Sequence, residues 1–312
     1  MNLTILDGGM GRELQRSGAP FRQPEWSALA LIEAPEAVTR AHQSFVAAGA
    51  KIITTNSYAL VPFHIGEARF AAQGQALAAL AGRLAREVAE QSSGVRVAGS
   101  LPPLFGSYRP DLFDPDRAVG QLAPLICGLS PYVDLWLAET LSATSEAQAV
   151  ALALGDDARP RWYSFTLRDD ADAHRTAPRL RSGESIEKAT AVAIAGRADA
   201  LLFNCSQPEV MASAVQQARA AIVAAGVNLA VGVYANAFPP QKEEAAANED
   251  LLPLRADLDP PGYLAWARKW LDAGASIIGG CCGIGPEHIA EIAAGLLPPS
   301  SSPAPPAPSL RP

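Results

Sequence analysis

Three cysteines carry the strongest chemical signal in this chain. Cys205 follows the apolar run Ala200-Leu201-Leu202-Phe203-Asn204. Cys281 and Cys282 follow a second run, Ser276-Ile277-Ile278-Gly279-Gly280, and lead through Gly283-Ile284-Gly285 to a helix opening at Pro286. Consecutive side chains on a regular strand point to opposite faces, so two adjacent thiols reach one point only where the strand ends and the backbone bends. Gly279, Gly280 and Gly283 permit that bend. Three thiols at the ends of two buried strands suit a thiolate zinc site, Cys205, Cys281 and Cys282, with its fourth position open to a substrate. Zinc deprotonates the thiols that bind it. A substrate thiol arriving there would be ionised at neutral pH yet remain electron-rich, as a sulfur nucleophile must be. The plainer alternative is three small buried residues, since free cysteine packs as a hydrophobe. Cys127 lies in a helical run, Ala123 to Leu129, away from any strand end, and reads as core.

Polar residues gather at the ends of other apolar runs. Asp7-Gly8-Gly9 ends the first and Glu139-Thr140 the fourth. The two carboxylates suit an ammonium group, and the amides of Gly8 and Gly9 suit a carboxylate. Together they would match the two ends of an amino acid. Asp7 as a helix cap and Glu139 in a rim ion pair are the structural alternatives. Asn204 could orient a ligand or satisfy backbone, and Asn56-Ser57-Tyr58 and Tyr234 could line a cavity, with packing as the alternative for the tyrosines. His42, His64, His174 and His288 show no metal-ligand spacing, and His288 reads as solvated in a first helical turn.

These residues need elements to hold them. Eight short apolar runs alternate with helical patterns: Leu3–Leu6, Lys51–Thr55, Val95–Ala98, Val133–Ala138, Arg161–Thr166, Ala200–Phe203, Leu229–Tyr234 and Ser276–Ile278. Near-continuous apolarity is expected of parallel strands covered on both faces. Stripes such as Leu77, Leu80, Ala81, Leu84, Val88 and Val210, Ala214, Val215, Ala218, Ile222 recur at helical spacing. Eight βα units predict a single-domain (β/α)8 TIM barrel over residues 1–297, whose active face lies at the strand C-termini. A doubly wound open sheet is the alternative, but no Gly-x-Gly-x-x-Gly opens a helix after the first strand. Two loops fall on the active face, Leu101 to Pro110 and Ala237 to Pro261. The second carries an acidic patch, Glu243, Glu244, Glu249 and Asp250. Residues 298–312, rich in Pro, Ser and Ala, read as a disordered tail.

Composition narrows the function. The 312 residues are 49% hydrophobic and 18% charged, with net charge −7 and an isoelectric point near 5.2. No basic patch offers itself to nucleic acid or an anionic membrane, and no run is long enough to span a bilayer. With no basic leader before an apolar segment, four cysteines read as reduced thiols of a cytoplasmic protein.

Gly279-Gly280-Cys281-Cys282-Gly283, Asn204-Cys205, Leu6-Asp7-Gly8-Gly9-Met10, Asn56-Ser57-Tyr58, Glu139-Thr140 and Ser164-Phe165-Thr166 together resemble the homocysteine S-methyltransferase family, from about Leu3 to about Leu297. The resemblance implies a zinc-dependent barrel that methylates homocysteine sulfur to give methionine. It implies Cys205, Cys281 and Cys282 as zinc ligands, Asp7 and Glu139 beside the substrate amino group, and Gly8 and Gly9 near its carboxylate. In size the chain is similar to short members that use S-methylmethionine or S-adenosylmethionine, and it has no cobalamin or folate modules. A neutral thioether leaving group needs no general acid, which fits the absence of a placed histidine; a methyl-folate donor would need one. Tyr58, Tyr108 and Trp136 are candidates to face a sulfonium. Betaine or methyl-folate as donor, selenocysteine as acceptor, and a barrel whose zinc is purely structural are the alternatives.

Overall fold

The computed structural model describes residues 3–170, 173–239 and 254–298. Eight parallel strands run β1 Thr4–Ile5, β2 Ile52–Thr54, β3 Arg96–Leu101, β4 Leu135–Leu141, β5 Arg161–Phe165, β6 Ala200–Asn204, β7 Ala230–Tyr234 and β8 Ile277–Ile278. Their order is β1-β8-β7-β6-β5-β4-β3-β2, and a bridge from Leu6 to Ile52 closes the ring. Every strand is followed by at least one helix, the longest being Glu67–Glu90 and Pro208–Ala225. The chain is therefore a (β/α)8 barrel, with each strand within a few residues of its expected place.

Alternation along each strand divides the core into two layers. Leu6, Ile52, Ala98, Leu135, Leu137, Trp162, Ala200, Leu202, Tyr234 and Ile277 fill the barrel interior. The residues between them, among them Ile5, Ile53, Val97, Trp136, Tyr163, Phe203, Val233 and Ile278, pack against the helices. Two residues beyond Ile52, Ala98, Leu137, Trp162 and Leu202 the strand alternation points inward again, and there the residue types turn polar: Thr54, Ser100, Glu139, Ser164 and Asn204. A barrel core filled below and polar above is what places chemistry at the strand C-termini.

Helix faces correct two expectations. In Pro115–Leu129 the residues Leu122, Leu125 and Leu129 face inward, and this turns Cys127 outward, so it is exposed rather than core. His288 is buried rather than solvated: its Nδ1 accepts from the Gly285 amide at 3.2 Å, and its Nε2 lies 3.0 Å from the Leu258 carbonyl. The acidic patch Glu243 to Asp250 and positions 299–312 of the expected tail lie outside the described residues. No helix among the described residues is long and apolar enough to cross a membrane.

Candidate metal centre and substrate cavity

The vicinal cysteines sit where β8 ends, and backbone bonds from both neighbouring strands shape the bend. The Gly280 amide donates to Asp7 O at 2.9 Å, and the Cys281 amide donates to Ala235 O at 2.9 Å. Cys282 O accepts from the Ala237 amide, and the Ile284 amide turns back to Cys281 O. Gly283 takes a φ of +85°, which a side chain would strain. Gly279 and Gly280 matter for space: a Cβ at Gly279 would lie 2.4 Å from Leu6 Cβ, and one at Gly280 2.1 Å from Ile284 Cγ2. From outside, the buried Tyr263 hydroxyl donates to Gly279 O at 2.8 Å and Ala235 O at 3.1 Å, pinning the ends of β8 and β7 together.

Cys205 arrives at the end of β6, one strand beyond β7 in the ring. It is a non-glycine residue at φ +48°, a conformation that persists only where surroundings impose it. Two hydroxyls do so by donating to its carbonyl, Thr166 Oγ1 at 3.2 Å and Tyr108 at 3.3 Å. The sulfurs of Cys205, Cys281 and Cys282 lie within 4.8 Å of one another, close enough to hold one metal ion. Cysteine sulfur selects soft or borderline metals over magnesium or calcium. The expectation of three reduced thiols meets a different state here: Cys205 and Cys281, 5.7 Å apart at Cα, are joined as a disulfide, and Cys282 keeps its thiol. The convergence that suits a metal also brings sulfurs within bonding reach. Burial pushes the Cys282 thiol up to about 11, with Arg12 opposing and Glu139 reinforcing the shift. Without a cation this sulfur stays protonated, and a bound metal supplies the charge that would ionise it.

The cavity beside the sulfurs is lined by Asp7, Gly8, Gly9, Arg12, Trp26, Asn56, Tyr58, Tyr108, Glu139 and Tyr234, among others. Asp7 does not cap the first helix. Its carboxylate accepts from the Thr54 amide at 2.7 Å and the Thr54 hydroxyl at 3.0 Å. Glu139 makes no rim ion pair among the described residues; it accepts from Ser100 Oγ at 2.5 Å and Tyr234 OH at 3.3 Å. Burial pushes both carboxyls up to about 7, and for Asp7 the neighbouring Glu139 adds to the shift. Two buried acids on the wall of one cavity could receive a cation.

Glu139 owes its aim to an irregularity in β4. Ala138 pairs with Tyr163 and Leu141 with Phe165, so one extra residue bulges between them, and Thr140 takes a φ of +59°. Asn204 holds that bulge. Its Oδ1 accepts from the Thr140 amide at 3.0 Å and Ser164 Oγ at 2.8 Å, and its Nδ2 donates to Thr140 Oγ1 at 2.8 Å. Asn204 is fully buried with those groups engaged and does not line the cavity; its bonds go to the turn next to Glu139. The Gly9 amide donates to Ile284 O at 2.9 Å. Gly8 and Gly9 line the cavity and also admit the cysteine loop: Cβ atoms there would lie 2.3 Å from Ile284 O and 2.5 Å from Cys281 O. Asn56 lines the cavity, and its Nδ2 donates to Ser27 O at 3.1 Å. Of the aromatic candidates, Tyr58 and Tyr108 reach the cavity, whereas Trp136 faces the helices under the guanidinium of Arg159, 4.7 Å from its ring. Trp26 and Arg12 line the cavity unforeseen; both belong to the long stretch between β1 and β2, whose length was the only available signal.

A family model described as homocysteine S-methyltransferase matches residues 4–296. The chain is 30% identical to the homocysteine S-methyltransferase of Escherichia coli, over 94% of this chain and 95% of that one. It is 26% identical to a selenocysteine Se-methyltransferase of Brassica oleracea, over 92% and 87%. The Escherichia coli homocysteine methyltransferase MmuM superposes in a metallated form with a TM-score of 0.75 at 29% identity, covering 95% of this chain and 96% of that one. Its oxidized form superposes with a TM-score of 0.75 at 28% identity, with the same coverage. A match from the first strand to the last helix, on a closed barrel with the matching solved architecture, leaves one assignment: the chain is a methyltransferase belonging to the homocysteine S-methyltransferase family.

Proposed function

We propose that this chain moves a methyl group from a sulfonium donor, S-methylmethionine or S-adenosylmethionine, to the thiol of homocysteine, giving methionine in a reducing cytoplasm. The observation that carries the proposal is the meeting of three cysteine sulfurs, from segments 76 residues apart, at the wall of a cavity that also holds two buried carboxylates. Zn2+ fits the donor set, and Cys205, Cys281 and Cys282 would hold it once the disulfide is reduced. When bound, zinc lowers the pKa of a thiol presented to its open position.

The chain itself supplies position. Asp7 and Glu139 hold the ammonium group of the acceptor, and its positive charge draws both carboxyls back to the ionised form. Asn204, through the Thr140 bulge, keeps Glu139 aimed inward. Trp26, Tyr58 and Tyr108 exclude water and offer ring faces to the positive sulfur of the donor. The acceptor sulfur's electron pair forms the new S–CH3 bond. The old S–CH3 bond breaks, its pair stays on the donor sulfur, and that sulfur leaves as a neutral thioether. No proton moves in this step, so the cavity needs no acid or base there.

The test is reduced, zinc-loaded protein with homocysteine and a donor panel of S-methylmethionine, S-adenosylmethionine, betaine and methyl-folate. Methionine should form with one of the sulfonium donors. Turnover with betaine or methyl-folate alone would overturn the sulfonium assignment, and no turnover with any donor would overturn the reaction. Because relatives include selenocysteine methyltransferases, selenocysteine belongs in the panel as a competing acceptor.

A further inference from the structure

We infer that the buried Arg181–Asp169 pair is a positioning device that holds Cys205 in the backbone conformation from which its sulfur meets the other two. The inference rests on the metal reading of the three sulfurs given above. Cys205 and Tyr108 both stand at positive φ without being glycine, +48° and +65°. They meet across one hydrogen bond, from the Tyr108 hydroxyl to Cys205 O at 3.3 Å. The second donor to that carbonyl is Thr166 Oγ1 at 3.2 Å. Arg181 touches both donors. Its guanidinium lies over the Tyr108 ring, 4.6 Å from the centre, and its Nε donates to Thr166 Oγ1 at 3.4 Å. A guanidinium N–H can only donate, so the Thr166 hydroxyl turns its own hydrogen elsewhere, and Cys205 O accepts it.

Asp169 completes the frame. Its Oδ1 lies 2.8 Å from Arg181 Nη2, and its Oδ2 accepts from the Gln207 amide at 3.1 Å. The pair therefore grips the exit of β6 on both sides of the strained residue. One hold is at Cys205 O, through two hydroxyls; the other is at Gln207, where the helix Pro208–Ala225 opens. The Asp169 side chain is fully buried and that of Arg181 is 10% exposed. Burying an ion pair adds little net stability, because desolvation offsets the attraction. A strained backbone, by contrast, persists only where its surroundings over-determine it. Arg181 is itself fixed: its amide donates to Thr166 O at 3.3 Å, and Leu167 bridges to Leu180 beside it. Neither Arg181 nor Asp169 lines the cavity, so the pair acts through Cys205 and not on a substrate.

The test is the zinc affinity of the reduced chain, read by competition with a chromophoric chelator. The thiolate-to-metal absorption band of the Co2+-loaded protein reports on the same sulfurs. Arg181→Met alone would strand the Asp169 charge, so it is combined with Asp169→Asn, which keeps an oxygen for the Gln207 amide. This paired replacement should weaken zinc binding roughly 10- to 100-fold, as loss of a ligand's supporting partner does, and change the Co2+ band. In a Tyr108→Phe, Thr166→Val background the same replacement should change affinity by no more than about twofold, because the hydroxyls it acts through are gone. Arg181→Lys keeps the ion pair, and with it the fold, but lacks the planar face and the Nε donor. Its zinc affinity should also fall while its urea midpoint stays near the parent's, and it decides alone should the paired replacement not fold. Unchanged zinc affinity in either variant would overturn the inference. So would an equal loss with and without the two hydroxyls, which would mark a role in general stability. A parent chain that binds no zinc when reduced would remove the metal reading, and this inference with it, so the two failures are told apart.

Discussion

Replacing Glu139 with Gln separates what the carboxylate does for binding from what it costs the empty fold. The change keeps the volume and a partner for Ser100, and the new amide can donate to the Tyr234 hydroxyl. Burial raises the Glu139 carboxyl from an ordinary 4.5 to about 7. A raised acid binds its proton more tightly in the folded state, so its favourable contribution is present at low pH and is lost as pH climbs from 4.5 to about 7. A shift of that size corresponds to about 3 kcal/mol of lost stability above neutral pH. Glu139→Gln removes the loss. The stability difference between variant and parent should be near zero at pH 4.5 and grow with pH until the variant leads by about 3 kcal/mol at pH 8. Asp7 adds in the same direction, because the Glu139 charge contributes to raising it. Buried Glu146, raised to about 8, and His42, lowered to about 4, titrate in both proteins and cancel in the difference. The assay is urea unfolding of substrate-free protein at half-unit steps from pH 4.5 to 8. Activity should move the opposite way, with kcat/KM for homocysteine falling tenfold or more as the ammonium loses a charged partner. A stability difference that stays flat with pH, or a parent more stable than the variant at pH 8, would refute the reasoning.

Three further perturbations probe the cysteine centre and its supports. Oxidised protein should show two titratable thiols when denatured, Cys127 and Cys282, and all four only after reduction; about one zinc should then bind per chain, and Cys282→Ser should lose both metal and turnover. Full metal binding without reduction would contradict the shared-sulfur site. Asn204→Ala leaves the buried Thr140 amide unpaired and takes one partner from each of the Thr140 and Ser164 hydroxyls, which should cost about 1–3 kcal/mol in urea unfolding and lower activity through Glu139; a change below measurement error would show that the bulge holds itself. Gly280→Ala drives a Cβ against Ile284, whose carbonyl receives the Gly9 amide, and should weaken metal binding. Ile284→Ala in the same chain should restore it, and failure of that rescue would place the clash elsewhere.

The barrel could be read from residue order because its strands are apolar on both faces. Leu6, Ile52, Leu137 and Leu202 line the interior while Ile5, Ile53, Trp136 and Phe203 face helices, and a run apolar at every position advertises both layers. The meeting of Cys205 with Cys281 and Cys282 was legible for a related reason. Parallel strands of a barrel deliver all their C-terminal ends to one face, so residues at those ends converge whatever their separation along the chain. Asp7 and Glu139 came together in the cavity by the same rule.

Other roles depended on partners far away. Asn204 supports Thr140 across 64 residues, and only the bulge in β4 creates the amide it accepts from. Gly9 gives its hydrogen to Ile284 because the cysteine loop folds over it, a contact no local pattern encodes. The outward turn of Cys127 and the burial of His288 follow from which helix face meets the barrel, and Trp26 and Arg12 entered the cavity from a stretch without periodicity. Residue order determined the fold class and the convergence of the sulfurs, because hydrophobic pattern and strand direction are local properties. The tertiary structure alone decided which polar groups remain available to a ligand, because each such group chooses among hydrogen-bond partners that exist only after the ring has closed.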